Sequence, residues 1–434
     1  MPLLFCKSMS INDLYAKYPI IITDSRKAQP DSMFFALKGS AFDGNDFAAQ
    51  ALDSGCSCAV VDNPKVAIDE RYILVDNVLK SLQDLARERR KQLDIPVIAI
   101  TGSNGKTTTK ELIKCVLETE YEVYATPDNF NNHIGVPLTI LGIPSNAQIA
   151  IIEMGANHIG EIRTLCEIAR PTCGLITNIG KAHLEGFGTL EGVKKAKKEL
   201  YDYLNEHEGM IFYNEKNLIL RPLLEEVKTK TIAYGRNCRG KLIASSPYLK
   251  VYLRIGENSH KVSTGMAGVY NLENIIAAVC VGKRFKVPEK QIIAAIKSYK
   301  PQNNRSQVFS AARNRLLLDF YNANPTSMNE SLKNFFEQIE GDKMLILGDM
   351  FELGKHTKKE HAAIIDLLTT RNDVNSIVVV GKHFYEAAKD MSGIMAFSEI
   401  DDLKRWLTDN PPENMFILLK GSRGMKLEQL TELL

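Results

Sequence analysis

The sequence has 434 residues, enough for about three domains of ordinary size. Apolar residues make up 44% and charged residues 24%, a balance typical of globular proteins, so extensive disorder is excluded. The formal net charge of +2 gives no protein-wide field for nucleic acid or an anionic membrane. No apolar stretch approaches the roughly 18–20 residues of a membrane helix. We therefore expect a soluble cytoplasmic protein that neither binds nucleic acid nor inserts into a membrane.

The chain divides into three stretches of different character. The first, to about residue 94, contains short apolar strands and a helix that ends near Leu93. The second runs to about residue 308 and includes a strand of alternating apolar and polar residues at 249–255. The third repeats an apolar strand, a turn and a helix, which predicts a parallel sheet covered on both faces. The remaining predicted strands are 19–23, 33–37, 58–62, 96–100, 149–153, 173–179, 316–319, 344–347, 377–380 and 416–419.

The strongest motif is TGSNGKTT at 101–108, between a predicted strand and a predicted amphipathic helix. Its glycines would let consecutive N–H groups face phosphate oxygens, and the N-terminus of the helix adds partial positive charge. Lys106 would bridge the outer phosphates and the Thr107 hydroxyl would bind Mg²⁺. The usual spacing requires glycine where Ile100 stands, so this is a shortened phosphate loop. A glycine turn with a chance lysine would not explain why strand, loop and helix fall in order.

Two further side chains follow apolar strands in the second stretch. Glu153 ends the strand 149–153, where a phosphate-loop protein places its metal-binding acid, although a strand-end acid is often merely solvated. His183 follows the strand 173–179. A single histidine is more often a packed or capping residue, but carboxyl ends of parallel strands meet at one crevice. We therefore predict functional roles for both residues.

A lysine cluster lies on a predicted helix with an apolar stripe that includes Val193 and Leu200. At about 100° per residue, Lys194, Lys195 and Lys198 point to solvent, whereas Lys197 points inward. Burial penalises the ammonium and favours the neutral amine, which can take up CO₂ beside a divalent cation and become a metal-binding carbamate. The alternative is a lysine that extends past the edge of the core into solvent.

Three more residues are candidates with simple alternatives. Asn271 opens a predicted helix and could be only its N-cap. Arg305 precedes the third stretch, where it could stabilise charge on a transferring phosphoryl group or form a surface salt bridge. Asp319 ends the first strand of the third stretch.

Taken in order, these residues resemble the Mur ligase family, the ATP-dependent amide ligases of peptidoglycan precursor synthesis. The shortened loop, Glu153, His183, Lys197, the YNLENIIAA segment, Arg305 and Asp319 match the family pattern. Local segments narrow the resemblance to the member that adds D-alanyl-D-alanine to UDP-N-acetylmuramoyl-tripeptide. These segments are DSR at 24–26 with DG at 43–44, NFNNHIGVPLT at 129–139, DFYNANPTSM at 319–328, LGDMFELG at 347–354 and KGSRGM at 420–425.

The resemblance covers essentially the whole chain and implies an α/β fold of three domains. These would be a small α/β UDP-binding domain at 1–94, a central phosphate-loop ATPase domain with a mostly parallel sheet at 95–308, and a Rossmann-like domain for the incoming dipeptide at 309–434. It also implies a monomer and an acyl-phosphate mechanism, in which the tripeptide carboxylate attacks the γ-phosphorus of ATP and the dipeptide amine then displaces phosphate.

The resemblance assigns roles to residues by position. Two Mg²⁺ ions are implied, the first served by Thr107 and Glu153 and the second by His183 and a carbamylated Lys197. Asn271 would lie near adenine, Arg305 near the γ-phosphate and Asp319 near the ribose. The ATP phosphates would be bound by Gly102, Ser103, Asn104, Gly105, Lys106, Thr107 and Thr108. The other substrates would be bound by Ser25 and Arg26 at the UDP end, by Asn131 and Asn132 at the muramoyl-peptide, and by Asn322 and Asn324 at the dipeptide.

Four alternatives compete with this interpretation. Folylpolyglutamate synthetase lacks a UDP-binding N-terminal domain, whereas about 90 residues precede this phosphate loop. The sibling ligase for diaminopimelate typically carries a DNPR segment, which is absent here. A phosphate-loop kinase or nucleotide switch would leave the third stretch without a role, and no guanine-specific NKxD motif occurs. The set of Lys106, Glu153 and His183 argues against a non-catalytic nucleotide-binding scaffold.

Overall fold

The computed structural model of the chain describes residues 9–235, 238–302, 304–371 and 373–434. Within these ranges, no helix combines the length and the apolar character needed to cross a bilayer. The fold is α/β, as expected, and most of its paired strands are parallel.

Helices and strands alternate along much of the chain. The α-helices are α1 (Ile11–Lys17), α2 (Ala48–Asp53), α3 (Val78–Lys91), α4 (Lys106–Leu117), α5 (Gly135–Leu141), α6 (Glu161–Ala169), α7 (Leu184–Phe187), α8 (Leu190–Glu206), α9 (Asn271–Arg284), α10 (Glu289–Ser298), α11 (Pro325–Gln338), α12 (Thr357–Thr369), α13 (Lys382–Ala388) and α14 (Ile400–Asp409). The strands are β1 (Ile20–Ile22), β2 (Ser32–Phe35), β3 (Cys58–Val61), β4 (Tyr72–Leu74), β5 (Val97–Thr101), β6 (Val123–Ala125), β7 (Ile149–Glu153), β8 (Cys173–Ile176), β9 (Met210–Asn214), β10 (Thr231–Tyr234), β11 (Cys238–Ser245), β12 (Leu249–Ile255), β13 (Asn258–Ser263), β14 (Gln307–Ser310), β15 (Arg315–Asp319), β16 (Lys343–Gly348), β17 (Ser376–Val380), β18 (Met395–Phe397) and β19 (Phe416–Lys420).

One compact unit comprises residues 9–99, 121–156 and 161–174. Its first sheet has the order β1-β2-β3-β4, and every pair is parallel. The apolar side chains of one face form a core with α2, to which Phe34, Ala51 and Val61 belong. Burial of these side chains explains why strands of only three or four residues are stable here.

The same unit carries a second group of parallel strands. β6 pairs with β7, and the main chain of β7 bonds to Pro96 at the start of β5, through the N–H of Ala150. Helix α3 begins at the N-cap Asn77, whose Oδ1 accepts the N–H of Lys80 at 2.8 Å. Its buried face includes Leu82 and Leu85. The helix and strands of the unit therefore follow the apolar periodicity of the sequence.

The other compact unit comprises residues 100–120, 157–160 and 175–434 with the gaps given above. It contains the end of β5, helix α4 and the parallel pair β9–β10. Helix α9 packs against α4. The antiparallel sheet β11-β12-β13 is half-buried, with alternate residues of β12 buried and exposed, as the alternation at 249–255 predicts.

The C-terminal part of this unit is a sheet of order β14-β15-β19-β16-β17-β18. Five strands are parallel, and the buried runs of β15, β16, β17 and β19 confirm the predicted parallel sheet. The edge strand β14 is antiparallel to β15, which the sequence analysis did not predict. Residues Phe309 and Ser310 of β14 are exposed, so the strand lacks the continuous apolar run that marks its neighbours.

Candidate active site

The phosphate loop lies between β5 and α4, as predicted. Gly102 has φ +142° and Gly105 has φ +78°, both in the region that favours glycine. A Cβ atom on Gly102 would clash with Oγ1 of Thr177, and one on Gly105 would lie 2.8 Å from Oδ1 of Asn274. Both glycines are therefore required by conformation and by close packing. The N-terminus of α4 follows directly, with Gly105 as its N-cap residue.

The segment that follows β8 holds the phosphate loop through hydrogen bonds. Ser103 N–H donates to the carbonyl of Asn178 at 2.9 Å, and Asn104 N–H donates to Oδ1 of the same residue at 3.0 Å. Thr177 Oγ1 donates to the carbonyl of Asn104 at 2.6 Å. The sequence analysis predicts that this strand extends to residue 179, but β8 ends at Ile176. The strand ends there because the next two residues, Thr177 and Asn178, form hydrogen bonds with the phosphate loop.

Lys106 is folded over its own loop. Its Nζ donates to the carbonyls of Gly102 at 2.8 Å and Ser103 at 3.3 Å. Thr107 is buried in the first turn of α4, and Thr108 is half-buried beside it. The ammonium thus sits over the loop backbone, where the motif predicts phosphate oxygens.

Asn271 lies in a chain of buried amides behind the loop. Its Nδ2 donates to the carbonyl of Ala267 at 2.7 Å, and its Oδ1 accepts from Nδ2 of Asn274 at 2.9 Å. Thr109 of α4 donates to Oδ1 of Asn274 at 3.1 Å. The simple N-cap alternative is wrong, because Tyr270 occupies the cap position and Asn271 is the first helical residue. The two asparagines connect α9 to the helix that carries the phosphate loop.

His183 and Lys197 both lie against the ring of Phe187. The His183 ring meets it edge-on with centroids 6.4 Å apart, and Nζ of Lys197 lies 5.4 Å from its centroid. Lys197 is only 1% exposed, so the helical-wheel prediction is confirmed and the extension into solvent is wrong. Of the three lysines predicted to point to solvent, Lys195 is exposed, whereas Lys194 and Lys198 are half-buried and form ion pairs with acids one turn away on α8.

A glutamate that the sequence analysis did not assign lies beside His183. Oε2 of Glu352 is 2.5 Å from Nδ1 of His183, an ion-pair distance, although the ring N–H is not aimed along a hydrogen-bond direction. This neighbour lowers the pKa of Glu352, and the charge of Lys106 adds to the effect. Among the described residues, no group of three or more His, Cys, Asp and Glu side chains is arranged to hold a metal ion.

Arg305 packs on an aromatic ring rather than in a surface salt bridge. Its Cζ lies 3.5 Å from the ring centroid of Tyr321, and Cζ of Arg423 lies 5.3 Å from the same centroid. The Nε atom of Arg305 is buried and has no hydrogen-bond partner. Two guanidinium groups thus lie close to one ring, an arrangement that an anion between or beside them would stabilise.

Asp319 is already engaged by side chains of the same unit. Its Oδ2 accepts from Nζ of Lys420 at 2.6 Å, and its Oδ1 accepts the N–H of Ser306 at 3.1 Å. Lys420 is almost completely buried on β19, next to β15. The structure places this pair at the carboxyl ends of two parallel strands, where ligands bind in open α/β sheets.

The two predicted dipeptide residues differ in environment. Asn322 is exposed, and its Oδ1 accepts the N–H of Ala323. Asn324 is the N-cap of α11, and its Nδ2 donates to Oδ1 of Asn104 in the phosphate loop at 2.7 Å. The structure therefore brings Asn324, but not Asn322, to the phosphate loop.

Glu153 and Asn131 lie together in the other unit. Nδ2 of Asn131 donates to Oε1 of Glu153 at 2.8 Å. The second oxygen, Oε2, is buried and has no hydrogen-bond partner. The Glu153 side chain is only 2% exposed, and a cation beside its unpaired oxygen would be stabilising.

Asn132 lies next to a cavity in the same unit. Its Oδ1 accepts the N–H groups of Ile134 and Gly135 at the start of α5. The cavity has a volume of about 200 Å³ and is lined by Asn132, His133, Gly155, Glu161, Thr164 and Leu165. Asn132 is thus partly used by the backbone and partly available to the cavity.

Ser25 and Arg26 lie in a short 3-10 helix between β1 and β2 of the first parallel sheet. Ser25 is buried, and its Oγ donates to Gln50 at 3.2 Å. Arg26 is exposed and pairs with Asp24, whose pKa it lowers to about 2. The arginine side chain is 83% exposed, so its charge is accessible to a ligand.

Several neighbours of the predicted residues had no predicted role. Glu352, Tyr321 and Arg423 fall within segments that carried the resemblance, but no spacing indicated which of their side chains face the site. Asn274 lies three residues after Asn271, on the same helix face, and this i, i+3 spacing could have identified it. The rest become visible only when distant segments are brought together.

Comparison with known proteins covers almost the full length of the chain. Three models match: "Mur ligase family, catalytic domain" at residues 17–90, "Mur ligase middle domain" at 100–282 and "Mur ligase, glutamate ligase domain" at 304–423. The chain is 34% identical to the UDP-N-acetylmuramoyl-tripeptide–D-alanyl-D-alanine ligase of Bacillus subtilis strain 168, over 95% of this chain and 92% of that protein.

Solved structures agree with this finding. The crystal structure of MurF from Acinetobacter baumannii is similar with a TM-score of 0.84 and 32% identity, covering 94% of this chain and 92% of that chain. MurF ligase from Thermotoga maritima in complex with ADP is similar with a TM-score of 0.85 and 26% identity, covering 98% of each chain. The fold is thus shared over at least 94% of the chain.

Proposed function

Because the chain belongs to the Mur ligase family, we propose that it adds D-alanyl-D-alanine to UDP-N-acetylmuramoyl-tripeptide with ATP, in peptidoglycan precursor synthesis. The observation that carries this proposal is 34% identity over 95% of the chain with a ligase named for that reaction. Use of ATP is supported by the ADP complex of a similar ligase and by the phosphate loop. The enzyme is proposed to act in the cytoplasm as a monomer.

The proposed chemistry has two steps. The terminal carboxylate of the tripeptide attacks the γ-phosphorus of ATP, so a C–O–P bond forms and ADP leaves. The amine of D-alanyl-D-alanine then attacks the acyl carbon, phosphate leaves, and the amine proton is lost. In both steps negative charge must be offset, because a carboxylate first approaches a triphosphate.

The phosphate loop is proposed to bind the nucleotide. Main-chain N–H groups of residues 102–108 would face phosphate oxygens, and Ser103, Asn104 and Thr108 would shape the loop. When nucleotide binds, the Lys106 ammonium would donate to phosphate oxygens in place of the carbonyls of Gly102 and Ser103. Arg305, with its unpaired Nε, would contact the γ-phosphate. Asn271 would lie at the adenine and Asp319 at the ribose. Both residues are proposed to bind the nucleotide and to take no part in the chemical steps.

The residues proposed for the metal ions have the required donor chemistry. Mg²⁺, when bound, would offset the repulsion between the two anions. Thr107 supplies a hydroxyl at the first turn of α4. Glu153 supplies a buried carboxylate with one unpaired oxygen, a fit for a hard cation. His183 and a carbamylated Lys197, which share the ring of Phe187, would hold the second ion.

The UDP-muramoyl-tripeptide and the dipeptide are proposed to be bound by three pairs of residues. Ser25 and Arg26 would contact the UDP end, and Asn131 and Asn132 the muramoyl-peptide, beside the 200 Å³ cavity. Asn322 and Asn324 would contact the dipeptide. The corresponding domains are proposed at 1–94, 95–308 and 309–434.

The test is phosphate release by the purified protein with Mg-ATP and UDP-muramoyl-tripeptide, with and without D-alanyl-D-alanine. Parallel reactions contain the lysine and the diaminopimelate form of the tripeptide. We expect phosphate and ligated product in equal amounts only when the dipeptide is present. Lys106→Ala should lose about a hundredfold or more in rate. Lys114→Ala should not, because Lys114 is a half-buried lysine on the same helix that pairs locally with Glu118. Phosphate release that ignores the dipeptide would refute the proposal.

A further inference from the structure

Arg423 lies at the same edge of the C-terminal sheet as the segment proposed to contact the dipeptide. It follows the end of β19 by three residues, and Tyr321 follows the end of β15 by two. Strands β15 and β19 are parallel neighbours, so their carboxyl ends open at one edge, where ligands bind in open α/β sheets. The two segments also touch, because Oγ of Ser422 donates to the carbonyl of Ala323 at 3.4 Å.

Two positive charges at this edge have no acidic partner. Cζ of Arg305 lies 3.5 Å from the ring centroid of Tyr321, and Cζ of Arg423 lies 5.3 Å from the same centroid. Among the residues that the structure describes, no acid forms an ion pair with either arginine, and Asp319 pairs with Lys420 instead. Like charges this close repel each other unless an anion offsets them. The arrangement therefore favours an anionic ligand.

The two arginines differ in burial. Arg305 is half-buried, and its buried Nε has no hydrogen-bond partner. The proposed function places it at the γ-phosphate, where Lys106 also supplies positive charge. Arg423 is exposed, and its guanidinium lies against the Tyr321 ring from the solvent side. One arginine thus serves the phosphate, and the other is left for a second anion.

The incoming dipeptide supplies such an anion. Its amine attacks as the neutral base, so its C-terminal carboxylate is then its only charge. A guanidinium binds a carboxylate through two parallel N–H donors, which fixes the orientation of the ligand as well as its position. The two Cζ atoms are no farther apart than their distances to the Tyr321 centroid combined, which is close to the length of an extended dipeptide, about 7 Å. A dipeptide held at Arg423 therefore reaches an acyl phosphate beside Arg305.

We propose that Arg423 binds the C-terminal carboxylate of the incoming dipeptide and so selects a substrate with a free acid at that end. This inference rests on the proposed function, in which residues after β15 contact the dipeptide. Asn324, three residues after Tyr321, donates to Oδ1 of Asn104 in the phosphate loop at 2.7 Å. The dipeptide segment thus connects Arg423 to the phosphate loop within one compact unit.

The experiment measures kcat/KM of the full-length protein with Mg-ATP, UDP-muramoyl-tripeptide and either D-alanyl-D-alanine or its C-terminal amide. The wild type should use the acid about tenfold to a hundredfold more efficiently than the amide, the range expected for a charged hydrogen-bonded pair. Arg423→Gln should lose that factor with the acid alone, so that it uses both substrates equally well. Arg423→Lys keeps the charge without the two parallel donors and should retain part of the preference. The KM for ATP should stay unchanged in both variants.

The controls separate this inference from the proposed function. Arg313→Gln changes an exposed arginine of the same unit that pairs with Glu413, and it should keep the full preference for the acid. Equal losses with acid and amide in Arg423→Gln, or an undiminished preference, would overturn the role of Arg423. A raised KM for ATP would assign this arginine to phosphate and overturn it as well. No ligated product from the wild type with either substrate would instead refute the proposed function.

Discussion

At the scale of single residues, Lys197 differs from the other lysines of its helix by burial. The side chain is 1% exposed and lies over the Phe187 ring, which the ring of His183 also contacts edge-on. Desolvation of an ammonium is costly, and the neutral amine is the form that reacts with CO₂. A carbamate at this position would add a carboxylate-like ligand that the amino-acid sequence does not encode.

Replacement of Lys197 tests this role directly. Lys197→Ala should reduce the rate of ligation about a hundredfold or more, because it removes a group proposed to bind a metal ion. Short carboxylic acids such as acetate or formate should restore part of the rate by occupying the space of the carbamate. Turnover is measured with and without the added acid. Lys195→Ala, on the exposed face of α8, is the matched control and should behave as the wild type. Unaltered turnover in Lys197→Ala would contradict the carbamate hypothesis.

At the scale of elements, the phosphate loop depends on the backbone conformation of one glycine and on its lack of a side chain. Gly102 has φ +142°, and its missing side chain leaves room for Thr177 Oγ1. Thr177 in turn binds the carbonyl of Asn104. A side chain at position 102 would therefore push the loop away from the segment that holds it.

Gly102→Ala should lower the free energy of unfolding by about 1–3 kcal/mol and abolish stabilisation by an ATP analogue. Gly341→Ala is the control, because Gly341 also has positive φ (+85°) but no atom lies within 4 Å of its Cβ position. Gly341→Ala should lower the free energy of unfolding only by the backbone strain, and it should retain full stabilisation by the ATP analogue. Urea unfolding with and without nucleotide gives both quantities. If Gly102→Ala retains its response to nucleotide, the loop does not need this conformation.

The elements that the sequence predicts well are those with strong apolar periodicity. The β5–loop–α4 unit, the alternating β12 and the buried face of α8 follow from local pattern alone. The edge strand β14 and the early end of β8 do not, because distant contacts determine them. The pairing of Glu352 with His183 has the same origin: neither residue has a sequence neighbour that indicates the other. The roles assigned to single site residues stay predictions.

At the scale of the whole molecule, the predicted first domain is tied to later parts of its own compact unit. Helix α3 packs against α5 and α6. Near its end, Arg90 is 7% exposed, and its guanidinium donates to the carbonyls of Leu93, Ala169 and Arg170 at 2.6–3.2 Å. One buried arginine thus donates hydrogen bonds to main-chain carbonyls on both sides of the predicted domain boundary at residue 94.

We expect Arg90→Ala to lower the free energy of unfolding by about 3 kcal/mol, because buried carbonyls lose charged donors and are left without partners. Arg87→Ala is the matched control on the same helix: Arg87 is half-buried and pairs only locally, with Asp84, so its loss should cost at most about 0.5 kcal/mol. Urea unfolding followed by circular dichroism measures both variants. A first transition that moves to lower urea in Arg90→Ala would show that residues before 94 unfold together with 121–174. Equal stability of the two variants would instead mean that the predicted boundary at 94 separates independent folding units.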